Sequence, residues 1–136
     1  MINKITDYKI TIITVCFNAA GTIEETINSV VNQPYDNKEY IIIDAGSTDG
    51  TLDIIKKHED RIAYWVSEPD YGLYHAMNKG IEKATGDIIG MINADDYYFE
   101  NIFPDVAKAF EGKDLEKYIF FGDMYHDREI IKGWRQ

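Results

Sequence analysis

Ile88-Ile89-Gly90-Met91-Ile92-Asn93-Ala94-Asp95-Asp96 is an apolar run that ends in an asparagine and two adjacent carboxylates. The run is short, follows Gly86-Asp87 and gives way to polar residues, so it reads as a buried strand with its acid at the C-terminal end. Two like charges side by side are costly unless a cation lies between them or water screens them. Oxygen ligands alone suit a hard divalent ion such as Mg²⁺ or Mn²⁺. A competing reading is an acidic turn capping the next helix, a role that Asp fills readily. The rest of the chain has to decide between the two.

Upstream, Lys9 to Phe17 is rich in β-branched residues and runs into Asn18-Ala19-Ala20-Gly21, a strand followed by a turn. Thr22 and Glu25 match a capping box, and Ile23, Ile27, Val30 and Val31 share one helical face up to Gln33-Pro34. Glu39 to Ile43 is a second strand and ends in the loop Asp44-Ala45-Gly46-Ser47-Thr48-Asp49-Gly50. A helix with Leu52 and Ile55 inward follows, then a less buried third strand over Ile62 to Ser67. Glu68-Pro69-Asp70-Tyr71-Gly72 is a turn, and Leu73 to Lys83 a helix interrupted by Gly80. Downstream, Asp105 to Phe110 reads as a short helix behind Pro104. Tyr118 to Phe121 reads as a fifth strand, and Met124 to Lys132 as a further strand with a bend. Strands alternating with helices predict an α/β unit on a mostly parallel sheet. Residues 1–136 form one domain, without repeat, low-complexity segment or linker.

Composition narrows the function. The 136 residues carry a formal charge of −10, with 45% hydrophobic and 13% aromatic content. That is a globular balance, and its acidity argues against tracking a nucleic-acid backbone. The lone Cys16 lies in an apolar strand, forms no internal disulfide and points to a reducing compartment. No apolar stretch approaches the ~20 residues of a membrane span. The polar Met1 to Lys9 lacks a signal peptide's core, so a cytoplasmic protein is expected. Peripheral membrane contact is neither called for nor ruled out by these residues. An open sheet edge would favour association into an oligomer.

In an open α/β sheet, ligands bind beyond the carboxyl ends of the strands. Asn18, Asp44, Asp70 and the Asp95-Asp96 pair each follow a predicted strand, a repetition that favours a metal-assisted nucleotide site. No G-x-G-x-x-G follows the first strand and no phosphate-binding G-x-x-x-x-G-K-[ST] occurs, which removes the main support for dinucleotide and P-loop readings. Without such a cradle, a diphosphate needs its charge neutralised elsewhere, as a cation at Asp95 and Asp96 would do.

TVCFNAAGTIEETINSV, IIIDAGSTDGT, SEPDYGLYHAMNKGI and GMINADDYY, in this order, resemble the inverting family 2 glycosyltransferases over about Lys9 to Tyr98. The resemblance implies a Rossmann-like GT-A fold and transfer of sugar from a nucleotide-diphosphate donor, a UDP-sugar by expectation, to a hydroxyl acceptor. It also implies cell-envelope polysaccharide synthesis. Under it, Thr14, Phe17 and Asn18 line the nucleotide pocket and Asp44 recognises the base. Asp95 and Asp96 are the metal motif, with Asp95 near the ribose and Asp96 on the Mn²⁺ or Mg²⁺ that bridges the diphosphate. Asp70, Gly72, Asn78 and Lys79 lie under the sugar nucleotide. Met77 and His75 depart from the pattern, standing where relatives carry an arginine and an acid.

The resemblance also implies a general base well downstream of the metal motif, to take the acceptor's proton. Asp123, Asp127 and Glu129 are carboxylates in that direction, but none lies in a recognisable base motif. The expectation is therefore a truncated, donor-binding part that lacks the acceptor half, binds nucleotide with a divalent ion and transfers sugar poorly. A catalytically incomplete binding module is the first alternative. A sugar-phosphate nucleotidyltransferase is the second, although Asn18-Ala19-Ala20-Gly21 is not the glycine-rich basic loop it would need.

Overall fold

β-branched residues fill the two strands at the centre of the sheet, β1 (Ile10–Cys16) and β2 (Lys38–Asp44). They run parallel from Ile10 opposite Lys38 to Cys16 opposite Asp44. β3 (Tyr64–Ser67) pairs with β2, and β4 (Ile88–Met91) with β1, both parallel, giving the order β3-β2-β1-β4. The structure is a computed structural model and describes residues 8–117, 119, 124–126 and 129–131.

The period-two pleat sorts side chains onto two faces. Ile10, Ile12 and Cys16 of β1 and Tyr40 and Ile42 of β2 pack with α1 (Ile23–Val31), α2 (Thr51–Lys57) and α4 (Ile102–Ala109). The alternate residues Ile13, Ile41 and Ile43 meet Ala76 of α3 (Leu73–Lys83) on the other face. Helix α3 lies so close to β1 that a Cβ on Gly80 would stand 2.5 Å from Ile13 Cγ2. The glycine inside this helix thus serves close packing.

Five expectations need correcting. The Thr22–Glu25 capping box does not form: Thr22 makes no side-chain cap bond. Its backbone N–H already donates to Ala19 O at 3.1 Å, which leaves nothing for Glu25 to reach. β4 is no buried strand, since Ile89 and Met91 are 43% and 39% exposed. It pairs with β1 alone among the described residues, so one of its edges is open. β3 begins at Tyr64, two residues later than predicted, and α4 begins at Ile102, three residues earlier. The predicted strand over Tyr118 to Phe121 lies outside the described residues. In the last segment, β5 (Met124–His126) and β6 (Glu129–Ile131) pair antiparallel, in place of one bent strand.

The chain steps outward from β1 to β2 to β3, and α3 then carries it back across to β4 on the far side of β1. That reversal puts a switch point between β1 and β4, with the ligand crevice at their carboxyl ends.

Candidate functional site

An open cleft of about 530 Å³ lies at the carboxyl ends of β1, β2 and β3, against the start of α3. Val15, Cys16 and Phe17 form one wall, Ala45 another, and Pro69, Asp70, Gly72, Leu73 and Ala76 the third. The Phe17 ring is 60% exposed at the rim, an apolar face offered to solvent. Gly72 has φ 109°, a conformation that favours glycine, and its N–H donates to Asp70 Oδ1 at 2.9 Å. This local turn turns the chain into α3 and holds the Asp70 carboxylate at the cleft. Helix α3 makes no side-chain cap bond, so the positive end of its dipole opens on the cleft. His75 Nδ1 accepts the Tyr71 N–H at 3.0 Å, and so this histidine closes the same turn.

Asp44, expected to read the base, is fully buried and its carboxylate is occupied. Five donors converge on it: Gly46 N–H at 3.0 Å, Ser47 N–H at 2.8 Å, Ser47 Oγ at 2.5 Å, Ser67 Oγ at 2.7 Å and Cys16 Sγ at 3.3 Å. A carboxylate offers about four lone-pair sites, so none remains for a ligand. Burial pulls its pKa upward, but the donors from Ser47, Ser67 and Cys16 outweigh burial and hold it below the ordinary aspartate value. Burial, with the Asp44 charge beside it, pushes the Cys16 thiol far above its usual range, so it remains a protonated donor.

The rest of this loop is spent on structure in the same way. Asn18 N–H donates to Ser47 Oγ at 2.7 Å, Thr48 N–H to Asn18 Oδ1 at 2.8 Å, Ala19 N–H to Thr51 Oγ1 at 2.9 Å and Ala20 N–H to Asp49 Oδ2 at 3.1 Å. These bonds staple the loop after β1 to the loop after β2. Asn18 takes φ 47°, a left-handed conformation that Asn tolerates better than most residues. Its side-chain oxygen is therefore a loop clamp at the edge of the cleft.

Thr14 is fully buried, with Oγ1 2.8 Å from the Tyr40 hydroxyl. Thr14 is enclosed by the core and is not one of the residues on the cleft walls. Asn78 is exposed on α3, and Lys79 pairs with Glu68 at 2.9 Å; neither lines the cleft. Of the nine predicted binding residues, the structure brings Phe17, Asp70 and Gly72 onto its walls.

Asp95 and Asp96 are exposed on the loop that follows β4. Ile92 N–H still bonds Ile13 O at 3.0 Å, so the loop leaves the sheet alongside the last residues of β1. Asp96 N–H closes a turn onto Asn93 O at 3.1 Å. Among the described residues no hydrogen bond or ion pair occupies either carboxylate side chain, and no cluster of three metal-ligating side chains forms. Two free carboxylates fit Mg²⁺ or Mn²⁺ if the substrate's phosphates and water complete the shell, the usual arrangement for Mg²⁺.

Thr26 and Ser29 of α1 and Gln33 just beyond it, none of them a site residue by sequence, hold this loop. Their signal was a polar series at helical spacing set among the apolar positions of α1.

Among proteins similar to this chain is a glycosyltransferase of Mycobacterium tuberculosis, 37% identical over 106 residues that cover 76% of this chain and 40% of the relative. Staphylococcus aureus TarS 1–349, solved with UDP-GlcNAc, superposes with a TM-score of 0.71 at 24% identity, covering 76% of this chain and 31% of that one. At that identity it shows the fold alone. A mannosyltransferase of Pyrobaculum calidifontis, solved with GDP-Man and Mn²⁺, gives a TM-score of 0.67 at 28% identity, over 74% of this chain and 32% of that one. The fold is that of the GT-A glycosyltransferases. The family model for glycosyl transferase family 2 matches residues 11–135, and the chain belongs to that family.

Proposed function

We propose that the cleft binds a nucleoside diphosphate sugar, with UDP as the nucleotide and Mn²⁺ or Mg²⁺ at Asp95 and Asp96. The sugar passes to a hydroxyl acceptor with inversion, in a cytoplasmic step of cell-envelope polysaccharide synthesis. The chain spans 40% of the mycobacterial relative's length, so transfer and acceptor are proposals about a whole protein. One observation carries the reading. The cleft at the carboxyl ends of β1, β2 and β3 has no Lys or Arg on its walls, while two carboxylates without a partner among the described residues follow β4, on the other side of β1. A diphosphate there needs a counter-charge, and the carboxylates can recruit one.

The residues divide the work as follows. Phe17 offers its ring face for stacking against the base, and the small Ala45 leaves room beside it. Asp70 spends Oδ1 on Gly72 and keeps Oδ2 for a donor hydroxyl. The start of α3 favours negative charge. Asp44 shapes the base end through its loop and makes no contact of its own. When bound, the ion supplies Lewis-acid stabilisation to the leaving diphosphate. The general base is unassigned: Asp123 and Asp127 lie outside the described residues, and of Glu129 only the backbone is described.

Calorimetric titration of UDP-sugars with and without Mn²⁺ tests the proposal. Binding is expected to tighten when the metal is present and to weaken at least ~10-fold in Asp96→Ala with Mn²⁺, a scale that even outer-shell partners of a metal reach. Binding that survives both chelator and Asp96→Ala unchanged would refute the metal assignment.

A further inference from the structure

We propose that Thr26 and Ser29 on α1, with Gln33 just past its C-terminal end, form a polar ladder that positions the Asp95–Asp96 loop for metal binding. The inference rests on the metal reading above and adds the residues that hold the loop. A spacing of three keeps Thr26 and Ser29 on one side of α1, and Gln33, just past the Asn32 cap, continues the row by bonding Ser29 O. Thr26 is fully buried and Gln33 is 4% exposed, so their polar atoms are committed to whatever they meet inside the protein.

What they meet is the backbone from Asp96 onward. Thr26 Oγ1 donates to Asp96 O at 2.5 Å. Ser29 Oγ accepts the Tyr98 N–H at 3.1 Å and donates to Thr26 O at 2.7 Å. Gln33 Nε2 donates to Phe99 O at 2.8 Å and to Ser29 O at 3.1 Å. Its Oε1 accepts the N–H groups of Ile102 and Phe103 at 3.0 and 3.2 Å, two of the otherwise orphaned donors that begin α4. Both donors and both lone pairs of the Gln33 amide are used, and a flipped amide would lose all four bonds.

The ladder therefore grips the segment on the far side of the acidic pair, while β1 holds the near side through Ile92. The pair sits between two fixed anchors, with its side chains facing solvent. A carboxylate pair on an unsupported loop would have to be ordered by each incoming ion. Here the main chain at Asp96 is already held, and the rung nearest to it is Thr26.

Mn²⁺ titration followed by its electron paramagnetic resonance signal, in the presence of UDP, gives the readout for wild type, Thr26→Val, Thr26→Ser and Ser29→Ala. Thr26→Val keeps the shape and removes the donor; Thr26→Ser keeps the donor. Thr26→Val is expected to weaken Mn²⁺ about tenfold, the scale of outer-shell partners, while UDP binding in chelator stays at the wild-type level. Thr26→Ser should restore the affinity to within about twofold, and Ser29→Ala should weaken it on the same scale. Unchanged Mn²⁺ affinity in both Thr26→Val and Ser29→Ala overturns the proposal. So does an equal loss of metal-free UDP binding in those variants, which would mark general damage to the fold. A wild-type chain that takes up no Mn²⁺ with UDP shows instead that the metal reading itself is wrong, and the ladder's role falls with it.

Discussion

Asp44 and Asp96 both follow strands of one parallel sheet, at the end where ligands gather, yet their surroundings oppose each other. Asp44 is fully buried under five donors, whereas Asp96 is exposed and bears no side-chain partner among the described residues. The difference comes from position in the sheet. β2 is central, flanked by β1 and β3, so the carboxylate at its end meets the Cys16 thiol from one side and the Ser67 hydroxyl from the other. β4 pairs with β1 alone among the described residues, and the hydrogen bonds that hold the loop after it reach its backbone and leave the Asp96 carboxylate untouched. A carboxylate at a strand end is thus no evidence of a ligand site. The number of protein donors already on it decides whether it is structure or site.

The largest test of this contrast is Asp44→Ala. It strands the Ser47, Gly46 and Ser67 donors in a buried loop and should cost about 3 kcal/mol in urea unfolding. Loss below ~0.5 kcal/mol would mean that the donors find water and that the loop is far softer than its hydrogen bonds imply. Ser67→Ala removes one donor of the set and should cost about 1 kcal/mol on the same assay.

Acid sharpens the contrast further. The folded pKa of Asp44 lies below its unfolded value, so its contribution is complete above about pH 4, where the unfolded side chain is ionised. That contribution is lost as pH falls through the folded value. The stability gap between wild type and Asp44→Asn should therefore be constant from pH 7 to pH 5 and narrow toward pH 3. A gap that widens on acidification would contradict the assigned sign. The smallest effect belongs to Asp96→Ala, whose unfolding free energy should stay within ~0.5 kcal/mol of wild type while metal-dependent nucleotide binding is lost.

Much of the framework was legible in the residue order. The β-branched runs announced β1 and β2, helix α3 falls on the predicted Leu73 to Lys83, and the acidic pair stands beyond the fourth strand as expected. The failures share one cause. The Thr22–Glu25 box was read from local spacing, and a carbonyl three residues back had already taken its donor. That the Asp44 carboxylate is already occupied by protein donors was not legible either, because Ser67, 23 residues on, is silent in a local window. The Thr26 hydroxyl meets its acceptor 70 residues later.

Local periodicity and the order of apolar runs, properties of neighbouring residues, determined the α/β framework, the strand ends as the site and the family resemblance. Which carboxylate is spent inside the protein and which keeps its oxygens free of protein donors among the described residues was decided only by the tertiary structure. Hydrogen-bond saturation depends on groups far apart in the chain, brought within hydrogen-bonding distance by the packing of the sheet and its helices.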